Sequence, residues 1–211
     1  MSPQEQLSAG ITELNLNIPV DTNAERKLIQ YLELLAKWNQ VHNLTAIREP
    51  EQMVSQHLLD SLAILPALAS VKKLIDVGSG GGLPGIPLAI VSPDLAVTLI
   101  DSNNKKTAFL RQAKAELGLT NLEVICDRVE ALQLPSKFDA VVSRAFAELS
   151  EFVALAGHLV AKGGRLFAMK GVYPFEEIAR LPETFQLDKV ISLKVPRLEA
   201  ERHLVVLNKV A

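Results

Sequence analysis

Residues 76–85 read Asp76-Val77-Gly78-Ser79-Gly80-Gly81-Gly82-Leu83-Pro84-Gly85, a glycine-rich turn between a short apolar strand, Leu74 to Val77, and a helix that Pro84 opens. Glycines let the backbone approach a ligand closely, and the free N–H groups of a helix N-terminus favour an anionic group. The same grammar continues downstream. Strands are predicted at Leu95 to Ile100, Leu122 to Ile125, Phe138 to Val142 and Arg165 to Met169. Helices are predicted from Pro84 to about Val91, from Lys105 to Leu117 and from Leu149 to Val160. Short apolar strands alternating with helices imply a parallel sheet covered on both faces. The tail breaks the rhythm. Phe185 to Leu193 and His203 to Asn208 read as strands separated by a stretch too short for a crossover helix, so they pair antiparallel at the sheet edge.

Upstream the pattern is helical. Asp21 and Thr22 cap a helix with Leu28, Tyr31, Leu32, Leu35 and Trp38 at three- and four-residue spacing, and a second helix begins near Pro50 and carries Val54, His57, Leu58, Ser61, Leu62 and Leu65. The chain of 211 residues therefore divides into an N-terminal helical extension, residues 1–70, and an α/β domain, residues 71–211.

The second strand is followed by Asp101, 23 positions after Gly78. An acidic residue there accepts hydrogen bonds from two ribose hydroxyls. Both NAD and S-adenosyl-L-methionine (AdoMet) carry such a ribose. The wording of the turn leans toward AdoMet: a dinucleotide fingerprint counted from Gly78 needs glycine where Leu83 stands, whereas Gly78, Gly80 and Gly82 form a G-x-G-x-G that starts two residues after Asp76. The segment Asp127-Arg128-Val129-Glu130, after the third strand, is placed to meet an adenine ring. Ser143-Arg144-Ala145-Phe146 follows the fourth strand at the lip of the cleft. No Asn/Asp-Pro-Pro-aromatic segment stands there, and Cys126 lies on the wrong strand for a pyrimidine-attacking thiol, which leaves acceptors that already own a free lone pair. Arg144 is expected at the rim of the cofactor cleft; the competing reading is a structural arginine paired with Glu148.

Composition bounds the partners. Cys126 is the only cysteine, which excludes an internal disulfide framework, and His42 and His57 lack further ligands at metal-binding spacing, so no metal is expected. No apolar run reaches the ~20 residues of a membrane span and Met1 to Ala9 has no leader pattern, so a cytoplasmic protein is expected. Net charge is −2, yet residues 1–70 hold four Lys/Arg against eight Asp/Glu, and residues 162–211 hold nine against six. The basic excess at the C-terminal end permits a polyanionic partner.

The chain resembles the glucose-inhibited division protein B family, known as RsmG, over about Lys37 to Asn208. The resemblance is carried by Trp38-Asn39, His42-Asn43-Leu44-Thr45, His57-Leu58-Leu59-Asp60-Ser61-Leu62, the 76–85 loop, Ser143-Arg144-Ala145-Phe146, Lys170-Gly171 and Glu201-Arg202-His203. The loop departs from the family in placing Gly81 where members often have proline. The resemblance implies a Rossmann-like AdoMet-dependent methyltransferase fold, with a mostly parallel seven-stranded sheet and an antiparallel C-terminal strand. It also implies methylation of a guanine N7 in 16S ribosomal RNA within the small ribosomal subunit; nothing in the sequence suggests an obligate dimer, so a monomer is expected. By position, Gly78, Gly80, Leu83, Asp101, Val129, Glu130 and Arg144 would form the AdoMet site, Arg144 also orienting the acceptor. Arg128, Lys170, Arg197 and Arg202 would contact RNA. His57, by itself an ordinary part-buried histidine, gains a site-shaping role beside the cleft, while Trp38 reads as core.

Overall fold

The computed structural model describes every residue except Ala145, Ala147 and Ala211, so part of the 143–146 motif lies outside the described residues. The extension begins with α1 (Pro3–Leu14), whose Ser2 cap and Glu5 form a reciprocal capping box. This helix was not singled out above, although Ser2-x-x-Glu5 announces it. Helix α2 (Thr22–His42) is capped by the Asp21 carboxylate on Ala24 N–H and ends at Asn43 in the left-handed conformation. It buries Leu28, Tyr31, Leu32 and Leu35, the stripe set by the 3.6-residue period. The helix from Pro50 is interrupted: α3 (Pro50–Met53) runs into a π-helical stretch, Val54–Leu59, before α4 (Asp60–Leu62). Periodicity foresees the helix but not the wider turn, because one extra residue per turn leaves the apolar stripe readable.

Seven strands form one sheet: β1 (Lys73–Val77), β2 (Ala96–Asp101), β3 (Leu122–Cys126), β4 (Phe138–Ser143), β5 (Val160–Lys170), β6 (Phe185–Ser192) and β7 (His203–Lys209), in the order β3-β2-β1-β4-β5-β7-β6. Strands β1 to β5 are parallel, and β7 runs antiparallel between β5 and β6. The expected edge pair is thus present. Helices α5 (Gly85–Val91), α6 (Asn104–Glu116) and α7 (Leu149–Ala156), with the short α8 (Phe175–Ala179), complete the fold. Helix α7 stops earlier than the expected Val160, because Gly157–Leu159 tightens into a 3-10 turn and β5 already starts at Val160.

The extension and the sheet share one apolar core. Leu28, Leu35, Val54 and Leu58 join Ile86, Leu88, Phe109 and Leu110 in a single buried cluster, while Ile75, Val77, Phe152 and Leu166 form the core on the opposite face of the sheet. Tyr31 reaches from α2 to donate its hydroxyl to Gly81 O at 2.5 Å, so the extension holds the glycine-rich turn from outside.

Helix α5 corrects one expectation. Its first N–H, from Gly85, is taken at 2.9 Å by Asp76 Oδ2, so the chain's own carboxyl occupies this helix start. Asp76 is fully buried behind the turn. A Cβ on Gly85 would stand 2.2 Å from Leu99 Cδ2 and 2.9 Å from Asp76 Oδ2. Gly85→Ala should therefore overpack the junction and cost about 1–3 kcal/mol of stability in urea unfolding; an unchanged midpoint would refute this packing account.

Candidate functional site

The cleft opens at the carboxyl ends of β1 and β4, where the strand order reverses and the following loops diverge, the position at which open α/β sheets take ligands. Gly78, Gly80 and Gly82 have φ of +69°, +56° and +87°, a left-handed run that only glycine adopts without strain. Gly78 N–H and Ser79 N–H donate to Ile100 O at 2.9 and 3.1 Å, which folds the turn over the end of β2. There Asp101 Oδ2 accepts from Gly80 N–H at 3.0 Å and Oδ1 from Asn103 N–H at 2.9 Å. A Cβ on Gly80 would meet only Gly78 O, at 3.9 Å, so the floor beside Asp101 is bare backbone facing open space. A carboxylate with spare lone pairs beside that floor fits a ribose diol, and with it the nucleoside half of AdoMet.

The remaining cofactor candidates divide. Leu83 is 5% exposed and packs into the core, so only its backbone is offered to a ligand. Val129 and Glu130 stand on a 3-10 turn, Val129–Ala131, directly after β3, with Glu130 held at 2.5 Å by Arg128 Nε. Asp76 keeps Oδ1 without a hydrogen bond, and burial pushes its carboxyl up to about 7.

Beside this cleft, at the ends of β4 and β5, lies a cavity of about 340 Å3 lined by His57, Asp60, Arg144, Lys170 and Arg202, with Gln56, Ile47 and Met169. Asp60 is 1% exposed and sits between two guanidiniums: Arg144 Nη1 at 3.3 Å from Oδ2 and Arg202 Nε at 3.2 Å from Oδ1. Burial raises its pKa, and the two arginines act against that. Arg144 Nη1 also donates to Gln56 O at 3.1 Å, while its Nε and Nη2 make no hydrogen bond among the described residues. The competing pair with Glu148 is absent from this geometry, since Glu148 stands 3.7 Å from Arg180. Lys170 Nζ is held by Glu177 at 2.7 Å and by Phe146 O at 3.2 Å. His57 is 2% exposed; its Nε2 lies 2.9 Å from Thr45 Oγ1 and its Nδ1 has no partner. Burial first and the Arg144 charge second hold its pKa down at about 4, against the smaller pull of the Gln56 carbonyl.

Arg128 is exposed on the β3 side, and Arg197 reaches Met1 Sδ at 2.9 Å, so neither lines this cavity. Reasoning from sequence passed over Asp60, although a carboxylate among Leu58, Leu59 and Leu62 is a signal, since an unpaired charge is almost never fully buried. A larger groove, about 560 Å3, lies at the amino ends of β1 and β2, lined largely by apolar residues such as Ile18, Pro66, Val71 and Pro93. Among the described residues no cluster could hold a metal ion and no helix is long and apolar enough to cross a membrane.

Residues 24–205 match the family model described as rRNA small subunit methyltransferase G. The chain is 58% identical over 208 residues to the ribosomal RNA small subunit methyltransferase G of Laribacter hongkongensis, covering 99% of both chains. It is 57% identical to that of Chromobacterium violaceum, covering 95% of both. Among solved structures, it resembles a putative O-methyltransferase from Klebsiella pneumoniae (TM-score 0.60, 14% identity, 100% of both chains). It also resembles the N-methyltransferase NodS from Bradyrhizobium japonicum in complex with S-adenosyl-l-homocysteine (TM-score 0.58, 11% identity, 83% of this chain and 100% of that one). At these identities the likeness shows a shared fold.

Proposed function

The chain belongs to the rRNA small subunit methyltransferase G family, and from that membership and the geometry of the cleft we propose that it transfers the methyl group of AdoMet to N7 of a guanine in 16S ribosomal RNA. It works in the cytoplasm as a monomer on the small ribosomal subunit. The observation that carries this reading is the juxtaposition of two sites at one switch point: the Asp101–Gly80 floor and, across Arg144, a cavity walled by guanidiniums.

When bound, AdoMet supplies a methyl group activated by its sulfonium. Gly78 and Gly80 offer it backbone, Asp101 its carboxylate, and Val129 and Glu130 flank the adenine end. The cavity suits an acceptor that needs no base. Asp60 is committed to two arginines, Lys170 to Glu177, and His57 is neutral near pH 7. Guanine N7 brings its own lone pair, so the chain's contribution is in-line placement rather than proton removal. Arg144, fixed on one edge by Gln56 O and Asp60, keeps its other guanidinium edge for the cofactor rim or an RNA phosphate. Arg202, Lys170, Arg128 and Arg197 provide further positive charge for the backbone of the RNA.

The reading is tested by incubating small subunits from a strain lacking this enzyme with the protein and labelled AdoMet, then identifying the labelled nucleoside by mass spectrometry. The expected product is 7-methylguanosine; a different methylated nucleoside would overturn it. Binding should also be strongly salt-dependent. Neutralising about four phosphates predicts roughly a 100-fold loss of affinity between about 50 and 200 mM salt. Replacing Arg128 and Arg202 by alanine should make the log–log slope shallower by about one for each cation. An unaltered slope would remove them from the interface.

A further inference from the structure

We propose that His57 reads position 6 of the acceptor base, donating its Nδ1–H to O6 of the guanine whose N7 is methylated. The inference rests on the guanine-N7 reading above and adds to it the group that selects the base. His57 lines the acceptor cavity from the π-helical stretch Val54–Leu59, a distortion that costs helix geometry and recurs at functional sites.

The tautomer follows from its neighbour. Thr45 Oγ1 accepts Ile47 N–H at 3.1 Å and lies 2.9 Å from His57 Nε2. With the Thr45 hydroxyl hydrogen turned to the ring nitrogen it faces, Nε2 is the acceptor. A neutral imidazole that accepts at Nε2 carries its hydrogen on Nδ1. That Nδ1 is buried and makes no hydrogen bond, so the weak pull of the Gln56 carbonyl is its compensation until a ligand acceptor arrives. With a pKa held at about 4, the ring stays uncharged at neutral pH.

The chemistry of the base matches. Guanine presents N7 and O6 as adjacent acceptors on one edge, whereas adenine presents N7 beside an N6 amino donor. A fixed donor beside N7 attracts guanine and opposes adenine. Neutrality matters equally, because methylation makes the purine cationic. An arginine on O6 would set a full positive charge against that developing charge, while a neutral N–H stabilises the carbonyl without the repulsion. The arginines of the cavity are anchored on Asp60, and the remaining edge of Arg144 serves the cofactor rim or an RNA phosphate.

The test is a cycle between residue and base. Small subunits are reconstituted on 16S rRNA carrying either guanine or 2-aminopurine, which has C6–H in place of C6=O, at the acceptor position. Wild-type enzyme should prefer guanine by about 10- to 100-fold in kcat/KM. His57→Phe should lose that factor on guanine, leave 2-aminopurine within about twofold, and bind AdoMet as before. His57→Asn, whose amide N–H stands near the Nδ1 position, should restore the preference. His57→Gln, which reaches only toward Thr45, should not, and it serves if the phenylalanine variant does not fold. Equal losses on both bases would overturn the proposal and return His57 to a structural role. Absence of 7-methylguanosine with wild-type enzyme would instead overturn the underlying reading of the acceptor.

Discussion

Arg144→Ala is expected to lower single-turnover methyl transfer to small ribosomal subunits by on the order of 100-fold, the scale set by a displacement of about 1 Å between reacting atoms. The sequence presents Arg144 as a residue at the rim of the cofactor cleft. Its contacts add a stability cost. The guanidinium ties β4 to the helical extension through Gln56 O and Asp60, and its loss leaves Asp60, 1% exposed, with Arg202 as its remaining partner. Breaking a buried pair outright costs about 3–5 kcal/mol; with one arginine still in place, about 1–3 kcal/mol is expected. Melting temperature, AdoMet affinity and single-turnover rate, measured together, separate the two effects. A loss of rate well beyond the loss of folded protein assigns Arg144 to the reaction. Full activity in a stable variant removes it.

Asp101→Ala is expected to weaken AdoMet binding by about 10- to 150-fold, corresponding to about 1.5–3 kcal/mol for hydrogen bonds to a charged acceptor. Two effects combine here. The ribose loses its carboxylate, and the turn loses the acceptor that holds Gly80 N–H and Asn103 N–H. Asp101→Asn tells them apart. Its amide oxygen can keep one backbone N–H while the negative charge is gone, so an intermediate affinity by isothermal titration assigns part of the effect to the ribose contact. Unchanged affinity in both variants would dismiss Asp101 as the ribose ligand.

Much of the fold was legible because its determinants are short-range. Each of β1, β2 and β4 is a run of five or six residues ended by a turn, and its burial on both faces shows as a largely apolar stretch, while the edge strand β3 is only partly buried. The short link between Phe185–Ser192 and His203–Lys209 forces an antiparallel pair for reasons of chain length alone. The boundaries that slipped were those where two elements meet without a breaker. At Gly157–Leu159 a helical pattern passes through a 3-10 turn into β5, where a Cβ on Gly157 would stand 2.8 Å from Phe185 Cε2 on a distant strand.

The sequence by itself determined the strand–turn–helix of residues 74–91, the glycine-rich turn within it, and the place of Asp101 at the end of the next strand, since each depends on residues within a few positions or one βαβ unit. Only the tertiary structure decided what the charged residues do. Arg144 meets Asp60 across 84 positions, Arg202 meets it across 142, and Tyr31 reaches Gly81 across 50. It also turned the helix N-terminus at Gly85 inward onto Asp76 and left His57 Nδ1 facing no partner. The physical reason is that a side-chain charge takes the nearest compensating group the folded chain offers. Which group is nearest depends on how the helical extension is laid over the sheet, a long-range arrangement driven by shared apolar burial that carries no local signature at the charged residues themselves.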